Sequence, residues 1–254
     1  TLPLGLADVQ GDGHLLQEAA LTIPTTLSQR LRAQARQQGV STASLCHLAW
    51  GQVLAAVTGN ERVVFGTVFL GRMDSGEGAE HALGMLINTL PLRVDIGEQD
   101  APAALKATHA RLTALLGHEH APLVLAQRCS GVAAPQPLFS ALLNYRHKAH
   151  DLASEQAQTA WRGIEFFHTE ERKRTNYPLT LSVDELADGF SFTVQALPVL
   201  GAQRFCERMH VALEHLVQAL EQGSTLAVNQ LPVLPSAERR QVLEDFNQTQ
   251  VEYP

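Results

Sequence analysis

The sequence has no surplus of positive charge. Nineteen lysines and arginines stand against 26 aspartates and glutamates, a formal net charge of -7. A broad basic surface is thereby excluded, and nucleic acid with it as an expected partner. Cysteine is scarce: Cys46, Cys129 and Cys206 are odd in number, far apart and without metal-ligand spacing. They read as free thiols in a reducing compartment. No apolar run reaches the roughly 18 residues of a membrane span, and Thr1 to Leu6 lacks the basic start of a secretory leader. A soluble cytoplasmic protein is expected. No Gly-x-Ser-x-Gly elbow occurs, so Ser130, Ser140 and Ser182 give a serine hydrolase no support. Eleven histidines are present, never two in succession. Internal repeats and low-complexity tracts are absent.

What is present is enough for a sizeable core. Of 254 residues, 45% are hydrophobic and 18% charged, which argues against global disorder. The chain begins without methionine, so a processed product or an excised piece is expected. Residues 1–19 read as irregular and Leu21 to Pro24 as a short strand. Thr25 or Thr26 is the expected cap of a helix stopped by Gly39. Ser41 or Thr42 caps a second helix, ended by Gly59. Arg62 to Leu70 is a run of β-branched and aromatic residues, as a buried strand requires. Leu92 to Ile96 alternates as a half-buried strand. Asp100 and Pro102 open a third helix, and a short helix ends near Cys129. Leu138 to Tyr145 reads as a central strand. Arg162 to His168, Tyr177 to Glu185 and Phe190 to Ala196 are further strands, the last two joined at Asp188-Gly189. Ala202 to Glu221 is a long amphipathic helix before Gly223. A parallel crossover between the strands at Val63 and Val94 is expected, and the fold class is α/β. From Leu231 the composition changes: Leu231 to Pro235 reads as extended, and Ser236 caps a short charged helix through Glu244.

The stretch from Arg62 to Arg93 carries the most information. Val63-Val64-Phe65-Gly66-Thr67 leads to Gly71-Arg72, and Leu83-Gly84-Met85-Leu86-Ile87-Asn88-Thr89-Leu90-Pro91-Leu92-Arg93 follows a loop. This resembles the fifth core motif of nonribosomal peptide synthetase condensation domains and the Gly-Thr…Gly-Arg segment before it. His118-Glu119-His120-Ala121-Pro122-Leu123 resembles that family's His-Gln-Asp-x-Pro-Phe-Glu motif, with histidine where aspartate is usual and Phe-Glu lost. Pro137 to Tyr145 resembles the strand after it. Phe246 to Thr249 and Tyr253-Pro254 resemble the junction to an adenylation domain. His118 to His120, Arg128 to Gly131 and Leu143 to Arg146 resemble the dual epimerisation/condensation subgroup.

The resemblance implies a chloramphenicol acetyltransferase-like lobe, a mixed sheet flanked by helices. It divides the chain into a C-terminal lobe, 1–231, and a linker to an adenylation domain, 232–254. The family's His-His-x-x-x-Asp-Gly motif belongs to the other lobe and is absent here, so no catalytic residue is assigned and the chain alone should be inactive. The implied function is to shape the tunnel in which a carrier-bound acceptor amine attacks a carrier-bound donor thioester, in the assembly of peptide antibiotics or lipopeptides. The implied partners are the N-terminal lobe, peptidyl carrier proteins and the downstream adenylation domain. No metal or organic cofactor is needed, because phosphopantetheine is carried by the partner. Two alternatives stand beside this reading: a non-catalytic docking module for carrier proteins, and an epimerase of the same fold.

Asn88 is the leading tunnel candidate: its amide either bonds a thioester or pantetheine group or satisfies a backbone group in a buried turn. Thr89, Gly66, Thr67, Gly71, Arg72 and Ser182 complete the implied tunnel set, the glycines allowing close approach of a substrate arm. Arg128, Arg146, Arg172, Lys173 and Arg174, with Arg162, are candidate contacts for an acidic carrier protein; a solvated charge run is the competing reading. His118 and His120 flank Glu119 but lack a third ligand, so a metal pair is not supported.

Overall fold

Glycines and β-branched runs set most of the boundaries. The computed structural model describes residues 5–6, 15–70, 86–133, 135–147 and 175–248. The expected strand Arg162 to His168 lies outside these residues. In chain order come β1 (Gln17–Thr22), α1 (Thr25–Gln38), α2 (Thr42–Thr58), β2 (Arg62–Phe69), β3 (Asn88–Asp95), α3 (Ala101–Leu116) and α4 (Leu123–Cys129). Then follow β4 (Ala141–His147), β5 (Leu179–Glu185), β6 (Phe190–Ala196), α5 (Ala202–Glu221) and α6 (Ser236–Leu243).

Gly39 and Gly59 close α1 and α2 in the left-handed conformation, φ 67° and 68°, where other residues are strained. Ser41 caps α2 by accepting from the Ser44 amide, and Asp100 caps α3 by accepting from Ala103. Neither Thr25 nor Ser236 is a cap. In both places a proline precedes the helix and its carbonyl accepts the first helical bond, Pro24 from Ser28 and Pro235 from Arg239. Each expected cap is thereby pushed inside the first turn.

The six strands form one mixed sheet in the order β1-β6-β5-β4-β2-β3. Val63 and Val94 are direct partners, but in an antiparallel pair. The expected parallel crossover is therefore misplaced. The parallel partner of β2 is β4, on its other edge, reached after α3 and α4 carry the chain back across the sheet. β4 also pairs parallel with β5. The mixed α/β architecture stands, with the parallel pairs in its middle.

Strand alternation divides the sheet into two unlike faces. Val63, Phe65, Leu92, Val94, Ala141, Leu143, Leu181, Phe192 and Val194 join residues of α1, α2, α3 and α5 in one buried cluster. Trp50 of α2 sits at its centre, fully buried, with Phe205 of α5 edge-on at 5.9 Å. Residues of opposite parity face away from these helices. After α5, Leu231 is buried and Val233 packs against the core. Arg208 of α5 holds Glu238 of α6 through both carboxylate oxygens, Nε lying 3.0 Å from Oε2. No single described helix is long and apolar enough to cross a membrane.

Candidate functional site

The parity of the sheet that faces away from α1, α2, α3 and α5 carries a row of polar side chains. Thr193 of β6 pairs with Ser182 of β5, and Ser182 with Asn144 of β4. One residue beyond the Thr67–Leu143 pair, the row continues through Val68 of β2 to its partner Thr89 of β3. Each of these side chains is partly exposed. From Ser182 to Thr89 the row crosses three strand spacings, roughly 14 Å. Beside it Arg146 forks onto Asp184 at 2.6 and 2.9 Å.

Of the expected tunnel set, Ser182, Thr89 and Gly66 therefore share one face. At Gly66, however, the approaching groups are the chain's own. A Cβ there would lie 2.3 Å from Leu142 Cδ2 and 2.4 Å from Phe139 Cε2, so glycine is required for Phe139 and Leu142 to close over the strand. Phe139 in turn stacks on Tyr177 at 5.8 Å.

Thr67 points the other way. It is buried, and its hydroxyl lies 2.7 Å from Nε2 of His47 in the middle of α2. The other ring nitrogen of His47 lies 2.6 Å from the Ala43 carbonyl. Burial pushes His47 down to about 4, against the raising effect of that carbonyl. The ring is neutral at pH 7, donating on the Ala43 side and accepting from Thr67. Thr67 thus ties helix to strand instead of lining the open face.

Asn88 shares the parity of Leu90 and Leu92. Its amide donates to the carbonyls of Glu119 and Ala121, both at 2.8 Å, while its Oδ1 accepts from the Thr89 amide at 2.9 Å. Of the two readings of this side chain, the geometry is that of the second: it fastens the turn after α3 onto the start of β3. Glu119 in that turn is buried, and His120 lies 3.6 Å from it while remaining mostly exposed. No group of three or more histidine, cysteine, aspartate or glutamate side chains among the described residues is placed to hold a metal ion.

The basic candidates separate likewise. Arg128 is exposed in the last turn of α4. Arg146 is committed to Asp184, which removes it from a pool of uncompensated cations. Gly71, Arg72, Arg162, Arg172, Lys173 and Arg174 lie outside the described residues.

A second polar cluster, not expected from the sequence, sits where β4 and β5 end against the start of α2. Tyr145 donates to Glu185 Oε2 at 2.5 Å, and Thr42 donates to the same oxygen at 3.1 Å. His147 lies 3.3 Å from it, and Arg32 reaches Glu185 Oε1 at 3.4 Å. Burial raises the Glu185 carboxyl, but the bonds from Tyr145, His147 and Thr42 together outweigh it and leave the group below its ordinary value. Burial pushes Tyr145 well up. The signal was a tyrosine and a glutamate at the C-terminal ends of neighbouring strands, which only the strand order makes legible. Asn144 and Thr193 were missed for the same reason.

A family model described as Condensation domain matches residues 6–243. Malpinin synthetase of Mortierella alpina is 45% identical over 254 residues, covering 100% of this chain and 3% of that protein. Tyrocidine synthase 2 of Brevibacillus parabrevis is 27% identical over 233 residues, covering 90% of this chain and 6% of that protein. Among solved structures, the condensation domain of the Monacolin K polyketide synthase MokA superposes with a TM-score of 0.62 at 21% identity, over 85% of this chain and 49% of that one. A four-domain nonribosomal peptide synthetase bound to AMP and glycine gives 0.68 at 13% identity, over 88% and 18%. The chain thus spans about half of the MokA condensation domain and a few per cent of the synthetases.

Proposed function

This chain belongs to the condensation-domain family of nonribosomal peptide synthetases, and we propose that it acts there as the C-terminal lobe, one wall of the passage in which a carrier-bound amine attacks a carrier-bound thioester. The observation that carries the reading is the polar row from Thr193 through Ser182 and Asn144 to Thr89, set on the face opposite α1, α2, α3 and α5. Side-chain hydroxyls and an amide at strand spacing can each exchange hydrogen bonds with an amide-bearing arm lying across the strands. Apolar ground beside the row is supplied by Val68.

Such a wall works by position. Holding amine and thioester in attack geometry is worth roughly 7–11 kcal/mol. General-base help on the amine, on the order of 10²–10⁴-fold, is assigned to the facing N-terminal lobe. The pantetheine arms arrive on the carrier proteins, and Arg128 is an exposed cation that could meet an acidic carrier. Residues 232–254 lead toward an adenylation domain, with α6 as the first anchored piece of that linker.

The test is reconstitution. This chain, joined to a lobe bearing the His-His-x-x-x-Asp-Gly motif, is given aminoacyl-loaded donor and acceptor carriers, and the amide product is followed by mass spectrometry. Product is expected from the joined pair and none from this chain alone. Turnover by this chain alone would remove the wall reading. Retention of holo carrier with no product from the joined pair would favour the docking module.

A further inference from the structure

Helix α4 is held in place without being built into the core. None of its seven residues is buried, and so short a helix does not stand by propensity alone. Both of its ends are tied down by side-chain amides instead. Before the helix, Asn88 donates to the Glu119 and Ala121 carbonyls. At its end, Gln127 donates to the Val132 and Gln136 carbonyls at 3.0 and 3.1 Å. Leu123, Ala126 and Gln127 take the inward side, while Val124, Leu125, Arg128 and Cys129 are exposed.

The outward side combines apolar surface with positive charge. Val124 is 62% and Leu125 52% exposed, and Ile87, beside the Asn88 anchor, is 67% exposed. Large apolar side chains gathered at one place on a surface mark contact with another molecule. Arg128 follows the apolar pair by four and three residues, on the same side of the helix. Carboxylates are scarce around it. The chain carries -7 overall, yet from Ala101 to His150 its only acidic residue is Glu119, against five lysines and arginines. Glu119 is buried, and Arg111 and Arg146 are spent on Asp95 and Asp184. No ion pair engages Arg128 among the described residues.

We infer that this side of α4 is a docking surface for a carrier protein, met by an acidic face with an apolar centre. Val124 and Leu125, with Ile87, receive the apolar centre, and Arg128 takes a carboxylate at the rim. Charge complementarity selects the occupant: an acidic partner finds an unpaired cation here and no exposed carboxylate on the helix to repel it. Because α4 is fastened at both ends, the surface is preformed and docking costs little ordering. The partner's identity rests on the proposed function, in which carriers deliver both substrates.

In a complete condensation domain containing this chain, the methyl signals of Val124 and Leu125 are followed by NMR while holo donor or holo acceptor carrier protein is added. Saturable shifts at both residues are expected with one of the two carriers. Val124→Asp and Arg128→Glu, exposed changes that spare the fold, should each weaken binding roughly tenfold. Reversing the charge of a carboxylate on the carrier's docking face should return part of the affinity lost in Arg128→Glu, a coupling that a structural role of Arg128 would not produce. Binding is read without turnover, so a domain that docks carrier on α4 yet forms no amide removes the wall reading and leaves this one standing. The docking surface is overturned if neither carrier shifts Val124 and Leu125, or if both variants bind with wild-type affinity. It is overturned equally by methyls already shielded in the carrier-free domain, which would assign this side of α4 to the facing lobe.

Discussion

His47 Nε2 and Thr67 Oγ1 lie 2.7 Å apart and join the middle of α2 to the middle of β2 inside the core. A residue expected to floor a tunnel is thereby spent on holding the sheet to its central helix. Thr67→Val keeps the shape but removes the hydroxyl, leaving a buried ring nitrogen without a donor. A loss of about 1–3 kcal/mol in urea unfolding is expected. Thr67→Ser should recover most of it, and equal stability of all three proteins would contradict the bond.

The same histidine gives the fold an acid limit. The folded ring titrates at about 4 and the unfolded one at its ordinary 6.5. Between those values the unfolded chain binds a proton that the folded chain refuses, so stability falls as pH drops through that window. The loss is on the order of 3 kcal/mol. Denaturant midpoints measured from about pH 7.5 to about pH 4 should fall more steeply for the wild type than for His47→Gln. Parallel curves would show that His47 does not set the limit.

Gly66→Ala places a methyl within 2.3 Å of Leu142 Cδ2 and 2.4 Å of Phe139 Cε2. Overpacking of this kind costs typically 1–3 kcal/mol. Shortening Leu142 to alanine in the same protein should return part of the loss, a coupling that thermal unfolding of the single and double variants measures directly.

The Arg208–Glu238 pair fastens α6 to α5 with both side chains largely buried. Glu238→Gln should raise protease cleavage near Leu234 and Pro235 while the main unfolding transition stays in place. A coupled fall of the whole transition would mean that α6 belongs to the core.

The proposed carrier contact separates two arginines. Arg128→Glu should weaken capture of a holo carrier protein without changing thermal stability. Arg146→Ala breaks the fork on Asp184 and should lower stability instead. If Arg128→Glu leaves capture unaltered, α4 is not part of the carrier surface.

Much of this was legible in the residues. Gly39, Gly59 and Asp100 announced their helix ends, and the strand read at Phe190 to Ala196 has the bounds of β6. The pairing of Val63 with Val94 was mistaken for parallel, because two apolar strands in sequence do not reveal which edge the second one takes. The proline-started helices hid their boundaries behind plausible threonine and serine caps. Asn88 was singled out as an amide inside an apolar run, which correctly marked a side chain with fixed partners. That those partners are Glu119 and Ala121 carbonyls depends on a turn some 30 residues away. Ser182 was named alone; Asn144 and Thr193 beside it emerge only from strand register.

The wall itself is tested most directly at Ser182. In a complete condensation domain containing this chain, Ser182→Leu is placed in the middle of the polar row and the rate of amide formation from loaded carriers is measured. A fall of roughly 10²-fold with unchanged folding is expected, since the arm loses its place beside Asn144 and Thr193. Full turnover by that variant would contradict the assignment of this face to the passage.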